Sequence, residues 1–205
     1  MGNWVILLMF CRSLKALFGV AVFVVASAMP ARANPPVTAI MVGGIPLLIW
    51  SLFEDTPQTR EEDQISANIG YFDALARDRP AGTFGFEYRS NFWVWKFHPT
   101  LGTAVTTHGQ AYVYAGLRLD AFFAKRIVVS PSVTPAFYHK GDGKDLGSSG
   151  VLRSGIDLSY RFGDKSQLGV GFHHMSHGKV FGNLNPGTET FQLFYAVPMS
   201  ALFGK

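Results

Sequence analysis

Leu152-Arg153-Ser154-Gly155-Ile156-Asp157-Leu158-Ser159-Tyr160-Arg161-Phe162 is the stretch that decides the fold. Its period is two. Leu152, Ser154, Ile156, Leu158, Tyr160 and Phe162 fall on one face of an extended strand, and Arg153, Gly155, Asp157, Ser159 and Arg161 on the other. A half-buried strand of a soluble sheet alternates too, but this one is long for that role. It fits the roughly 10-residue dyad repeat of a transmembrane barrel, apolar toward lipid and polar toward the lumen.

The same period recurs on both sides of this strand. Along 111–121, Ala111, Val113, Ala115, Leu117 and Leu119 oppose Tyr112, Tyr114, Arg118 and Asp120; along 83–89, Phe84, Phe86 and Tyr88 oppose Thr83, Glu87 and Arg89. Weaker members span 64–72, 92–106, 126–138, 167–176 and 188–199. Eight strands make the smallest usual closed barrel, so the expected fold is all-β, an eight-stranded antiparallel transmembrane β-barrel. Pro99, Pro131, Pro135 and Pro198 each remove a ladder donor and are expected at bulges or rims. With both ends of the barrel chain on the periplasmic side, the links near Ser90-Asn91, Phe122–Lys125 and Gly163–Lys165 are expected as short turns. The longer polar links His139–Ser149 and His177–Gly187 then become outside loops. A soluble sandwich or lipocalin-like barrel would turn its apolar residues inward. The opposed face, with Arg153, Asp157, Arg161, Arg118, Asp120 and Glu87, argues instead for a charged interior.

Composition agrees. The 205 residues suit one domain, and 16% charged is well below the roughly 25% of an average soluble domain. Most of the net charge of +4 comes from Arg12, Lys15 and Arg32 near the N-terminus; without them 15 basic residues face 14 acidic ones, so nucleic acid is not an expected partner. Arg12 and Lys15 precede the apolar run Ala16–Ala28, and Ala31-Arg32-Ala33 follows as an A-x-A cleavage site. Residues 1–33 are thus expected to be a signal peptide, with the mature chain starting at Asn34. The run Trp4–Phe10 is extra to that pattern and leaves the true start codon open. Cys11, the single cysteine, lies inside the leader behind a bulky Phe10, which argues against a lipoprotein signal and leaves the mature chain without thiols. A second apolar stretch, Val37–Phe53, is interrupted by Gly43, Gly44 and Pro46, and its role stays open among anchor, strand and export signal. The charged run Glu54–Asp63 reads as a solvated linker. The division is therefore 1–33 leader, 34–63 segment and linker of unassigned role, and 64–205 barrel.

Chemistry concentrates in Gly171–Thr190. His174 and Ser176 share the lipid-facing side with Leu168, Val170 and Phe172, and Glu189 shares it with Phe191, Leu193, Tyr195 and Val197. His174 and Ser176 end one strand and Glu189 begins the next, about 4.8 Å away, so all three can meet at one rim. A carboxylate on an apolar face costs energy unless paired, and His174 is its natural partner. These are the parts of a Ser-His-acid site, with Asn185 and a backbone amide near Gly178 as candidate oxyanion donors and an outer-leaflet acyl ester as the expected substrate. A zinc site from His173, His174 and His177 is disfavoured, because parity aims His173 and His174 to opposite faces. His98, His108 and His139 read as rim or lumen residues, and Asp142 and Asp145 as part of a flexible loop.

At these residues the chain resembles the PagL family, the lipid A 3-O-deacylases of Gram-negative outer membranes. The resemblance is carried by His174-Met175-Ser176-His177 and Asn185-Pro186-Gly187-Thr188-Glu189, and extends to Ala115-Gly116-Leu117, Asp145-Leu146-Gly147-Ser148 and the strand Arg153–Phe162, covering roughly 64–199. It implies hydrolysis of the 3-O-linked acyl chain of lipid A in lipopolysaccharide, without metal or other cofactor, at the outer leaflet. By matched position Ser176 is the nucleophile, His174 the base, Glu189 the acid member and Asn185 an oxyanion donor. His177 departs from the asparagine usual after the serine, and the loop to Glu189 is one residue longer. A non-catalytic barrel serving integrity or adhesion and a barrel acyltransferase are the alternatives. Acyl-chain preference, a homodimeric state and latency of the activity stay open.

Overall fold

The computed structural model describes residues 62–92, 96–123 and 126–204. The leader with Cys11, the stretch Val37–Phe53 and most of the charged run after it lie outside the described residues. The chain forms β1 (Gln64–Phe72), β2 (Ala81–Arg89), β3 (Phe97–Thr106), β4 (Ala111–Leu119), β5 (Ala121–Phe123), β6 (Ile127–His139), β7 (Gly150–Arg161), β8 (Gln167–Ser176), β9 (Thr188–Pro198) and a short helix α1 (Met199–Phe203). β4 and β5 are one strand interrupted at Asp120, since both pair with β6. Each strand pairs antiparallel with its sequence neighbour. β1 also pairs with β9, and the β4–β6 ladder completes the ring. The result is a closed eight-stranded barrel without a free edge, the condition a sheet must meet to cross hydrocarbon.

Side-chain parity follows the expected faces. Ile69, Phe84, Phe86, Leu101, Val113, Leu158, Val170, Leu193 and Tyr195 stand exposed on the outer wall. Ser66, Asn68, Glu87, Arg89, Arg118, Arg153, Asp157 and Gln192 are buried within. The interior charges hold one another: Arg89 Nε donates to Glu87 at 2.7 Å and Arg89 Nη2 to Asp157 at 3.1 Å. Arg118 Nη2 donates to Asp120 at 2.8 Å, and Tyr114 Oη to Glu87 at 2.8 Å. Arg153 lies 4.3 Å over the Tyr114 ring. Buried charges are tolerable only when paired in this way. A soluble barrel would invert both faces.

Two details differ from expectation. β3 begins at Phe97 rather than 92, and Phe92 belongs to no strand; residues 93–95 lie outside the described residues. Pro131 and Pro135 sit inside β6, at neither a bulge nor a rim. The β4–β6 ladder is interrupted at 115–116, opposite Thr134 and Pro135, and at 119–120, opposite Ser130 and Pro131. Ala111 faces His139 and Ala121 faces Val129, ten residues on along each strand, so the register passes both gaps without an inserted residue. The missing proline donors are met by skipped rungs on the β4 side, while the ladder to β7 runs unbroken. Pro198 ends β9, and Pro99, third in β3, lies just beyond the β2–β3 ladder, which begins at Thr100.

The connections gather at two ends. At one end, Glu62 and Asp63 join the barrel instead of continuing a solvated linker. Asp63 accepts from Tyr88 Oη at 2.8 Å and from the Asn91 N–H at 2.7 Å, and Lys165 Nζ donates to Glu62 at 2.8 Å. The other end carries the segments 73–80, 107–110, 140–149 and 177–187, and these interlock. The Asp142 N–H donates to the His108 carbonyl at 3.1 Å, and the Ala74 N–H to the Glu189 carbonyl at 3.0 Å.

Candidate active site

β8 ends at Ser176 and β9 begins at Thr188, and their ladder sets His174 directly opposite Glu189. Directly opposed residues of an antiparallel pair project to the same face with Cβ atoms roughly 5 Å apart. His174 Nδ1 lies 3.1 Å from Glu189 Oε1. An ionised carboxylate only accepts, so Nδ1 carries the proton and Nε2 keeps a free lone pair. The Glu189 side chain is 7% exposed against 20% for His174, so the acid sits behind the imidazole and the imidazole faces outward.

Ser176 stands two residues beyond His174 on the same face, half-buried and opposite Leu152 of β7. Among the described residues its hydroxyl makes no hydrogen bond, and none joins it to His174. Two residues of strand separate their Cα atoms by about 6.7 Å, a span the two side chains can close from the same side. Below them the wall is apolar: Phe172 and Phe191 rings pack at 4.8 Å, with Val170 and Leu193 next along.

The loop 177–187 meets the imidazole at Gly187. Gly187 has φ +65°, and a Cβ there would lie 2.8 Å from His174 Cε1 and 3.4 Å from Nε2. Its backbone therefore rests against the imidazole edge, and only glycine fits both the turn and the contact. The Asn185 side chain turns its Oδ1 to the His177 N–H at 3.1 Å. That bond fixes which end of the amide is which, leaving Nδ2 without a partner among the described residues. Gly178, with φ +59°, is exposed, and no described hydrogen bond engages its amide.

The remaining histidines separate as parity requires. His173 points into the lumen, where Nε2 is 3.0 Å from Asp157 Oδ1. His177 is buried beneath its own loop, its Nε2 2.7 Å from the Leu184 carbonyl. His108 and His139 are exposed at the loop end, and His98 is half-buried in β3. Asp145, expected in a flexible loop, is engaged: Lys140 Nζ donates to it at 2.9 Å and the Gly147 N–H at 2.8 Å. These two bonds, the lysine first, hold its carboxyl below the usual carboxylate range.

One group at this end escaped the sequence reading. Asp73 is fully buried and accepts from Lys144 Nζ at 2.6 Å, from the Arg79 N–H at 2.8 Å and from Thr188 Oγ1 at 3.4 Å. Lys144 also reaches Asp78 at 3.1 Å. This buried cluster ties 73–80 and 140–149 to the residue before Glu189. Asp73, Asp78 and Lys144 lie in loops outside the alternating strands, so no local pattern marks them.

The family described as Lipid A 3-O-deacylase (PagL) matches residues 63–198, the whole barrel. The chain belongs to this family. It is accordingly an outer-membrane ester hydrolase acting on lipid A, which sets aside the non-catalytic and acyltransferase alternatives. A crystal structure of the outer membrane enzyme PagL matches with TM-score 0.53 and 19% identity, over 66% of this chain and 99% of that one, and shows the shared fold. Also similar are a designed transmembrane β-barrel, with TM-score 0.47 and 10% identity over 71% and 98% of the two chains, and the Yersinia pestis outer membrane protein Ail, with TM-score 0.41 and 15% identity over 66% and 99%. No curated protein matches this sequence.

Proposed function

We propose that the barrel removes the 3-O-linked acyl chain of lipid A by a Ser176/His174/Glu189 mechanism at the outer leaflet. The observation that carries this reading is the His174 Nδ1–Glu189 Oε1 pair at 3.1 Å on the lipid-facing wall, two residues from a serine on the same face. His174 Nε2 takes the Ser176 proton as Oγ attacks the ester carbonyl, and Glu189 stabilises the imidazolium that forms. The oxyanion is met by Asn185 Nδ2 and a backbone N–H near Gly178. Collapse expels the sugar 3-oxygen, which takes the proton back from His174. Water, deprotonated by the same nitrogen, then attacks the acyl carbon, and Ser176 Oγ leaves with that proton as the fatty acid is released.

The apolar wall below the site supports an orientation in which acyl chains lie along β8 and β9 while the ester reaches the rim. With Glu62 and Asp63 at the opposite end, the interlocked loop end is the outward one in this reading. Mass spectrometry of lipid A incubated with purified protein tests the mechanism. Ser176→Ala and His174→Ala should abolish release of the acyl chain with the barrel folded, and Glu189→Ala should reduce it less. Full activity of Ser176→Ala would refute the serine mechanism.

A further inference from the structure

The structure holds a buried imidazole that the catalytic reading does not use. His177 is 4% exposed. Its Nε2–H donates to the Leu184 carbonyl at 2.7 Å, and its Nδ1 accepts from the Phe181 N–H at 3.4 Å. Its backbone N–H donates to Asn185 Oδ1 at 3.1 Å. One residue therefore grips the loop at Phe181, Leu184 and Asn185. The two ring bonds require the neutral tautomer with the proton on Nε2, since Nδ1 must accept.

The surroundings make this grip strong. The backbone of the facing loop passes directly over it: a Cβ on Gly147 would run into the Leu184 carbonyl oxygen and lie 3.2 Å from His177 Nε2. His177 is buried, so an imidazole left unpaired there would bear a desolvation cost. Val180, Phe181 and Leu184 are exposed, and the Phe181 ring meets His177 itself, with centroids 6.2 Å apart. The Val180 N–H to His177 carbonyl bond, at 3.0 Å, again ends on the same residue.

We infer that His177 is the positioning residue of the oxyanion arm, fixing Leu184 through its ring and Asn185 through its amide so that the Asn185 Nδ2 faces the reacting carbonyl. The inference rests on the reading of Asn185 as an oxyanion donor. Losing a group that acts only on the transition state lowers kcat and leaves substrate binding in place.

The test uses the intact protein in lipid A–detergent micelles, with folding checked by heat-modifiable gel migration. His177→Met fills the buried volume without a donor, and His177→Gln offers an amide N–H to the Leu184 carbonyl. His177→Met should lower kcat by roughly 10²-fold, as about 1 Å of misplacement does, with KM little changed. His177→Gln should recover most of that loss. If His177→Met does not fold, His177→Ala carries the same expectation. The double variant His177→Met/Asn185→Ala should be no slower than Asn185→Ala alone, since one acts through the other. Additive losses, an unchanged kcat in His177→Met, or a loss wholly in KM would overturn the inference. Full activity of Asn185→Ala would instead remove the reading beneath it.

Discussion

Gly187→Ala is the most informative single change, because one added carbon meets two separate constraints. At φ +65° an alanine bears left-handed strain of about 1–2 kcal/mol. Its Cβ would sit 2.8 Å from His174 Cε1, whereas carbon atoms settle at about 3.5–4.0 Å. The ring or the loop must therefore give by roughly 1 Å. If the ring gives, the 3.1 Å Nδ1–Oε1 bond, already near the long end of its range, is lost. If the loop gives, Asn185, two residues before, moves with it. Either displacement should slow deacylation by about 10²-fold. Gly109→Ala is the control. Gly109 has φ +75° and nothing within 4 Å of a Cβ, so it bears the backbone strain without touching the site. In urea unfolding Gly109→Ala should lose the strain alone and Gly187→Ala at least as much, and only Gly187→Ala should lose kcat in a fatty-acid release assay. A folded Gly187→Ala barrel with full kcat would refute the claim that this backbone fixes the imidazole. An equal loss in Gly109→Ala would trace the effect to general destabilisation.

Four further outcomes follow from the same contacts. His173→Ala should keep most activity while His174→Ala loses it, because the two rings lie on opposite faces; the reverse result in the lipid A assay would mean the strand register is wrong. Leu158→Arg, on the outer wall, should cost about 2–4 kcal/mol if near the bilayer midplane, seen as failed heat-modifiable migration, while Leu158→Tyr should assemble. Lys144→Met strands the buried Asp73 carboxylate and should destabilise the loop end by about 3–5 kcal/mol, read as faster hydrogen exchange over 73–80 and 140–149. Terminal sequencing of protein from outer membranes should find Asn34 first; retained Cys11 would contradict the leader.

The eight strands were legible because membrane barrels repeat one simple rule over many residues. Each strand must present lipid on one side and a lumen on the other, so the period of two runs through 83–89, 111–121 and 152–162 without help from distant partners. The same parity put His174, Ser176 and Glu189 on one wall and His173 on the other, and the short spacing of the last two strands brought them to one rim. Local order also misled at β6. Pro131 and Pro135 looked like interruptions, because a chain read alone does not show that the neighbouring strand skips the rungs they cannot fill.

What only the tertiary structure decided are the contacts between segments that share no period. The direct opposition of His174 and Glu189 is a matter of register, set by the whole closed ring of pairings rather than by either strand. Asp73 and Lys144, 71 positions apart, meet only because the loops of β1–β2 and β6–β7 fold to the same end. His177, in sequence a neighbour of the serine and one of three clustered histidines, becomes an internal brace because the loop turns back over it. Alternation follows from each residue's own solvent and is written locally; a buried hydrogen bond depends on which distant group arrives, and only the closed barrel settles that.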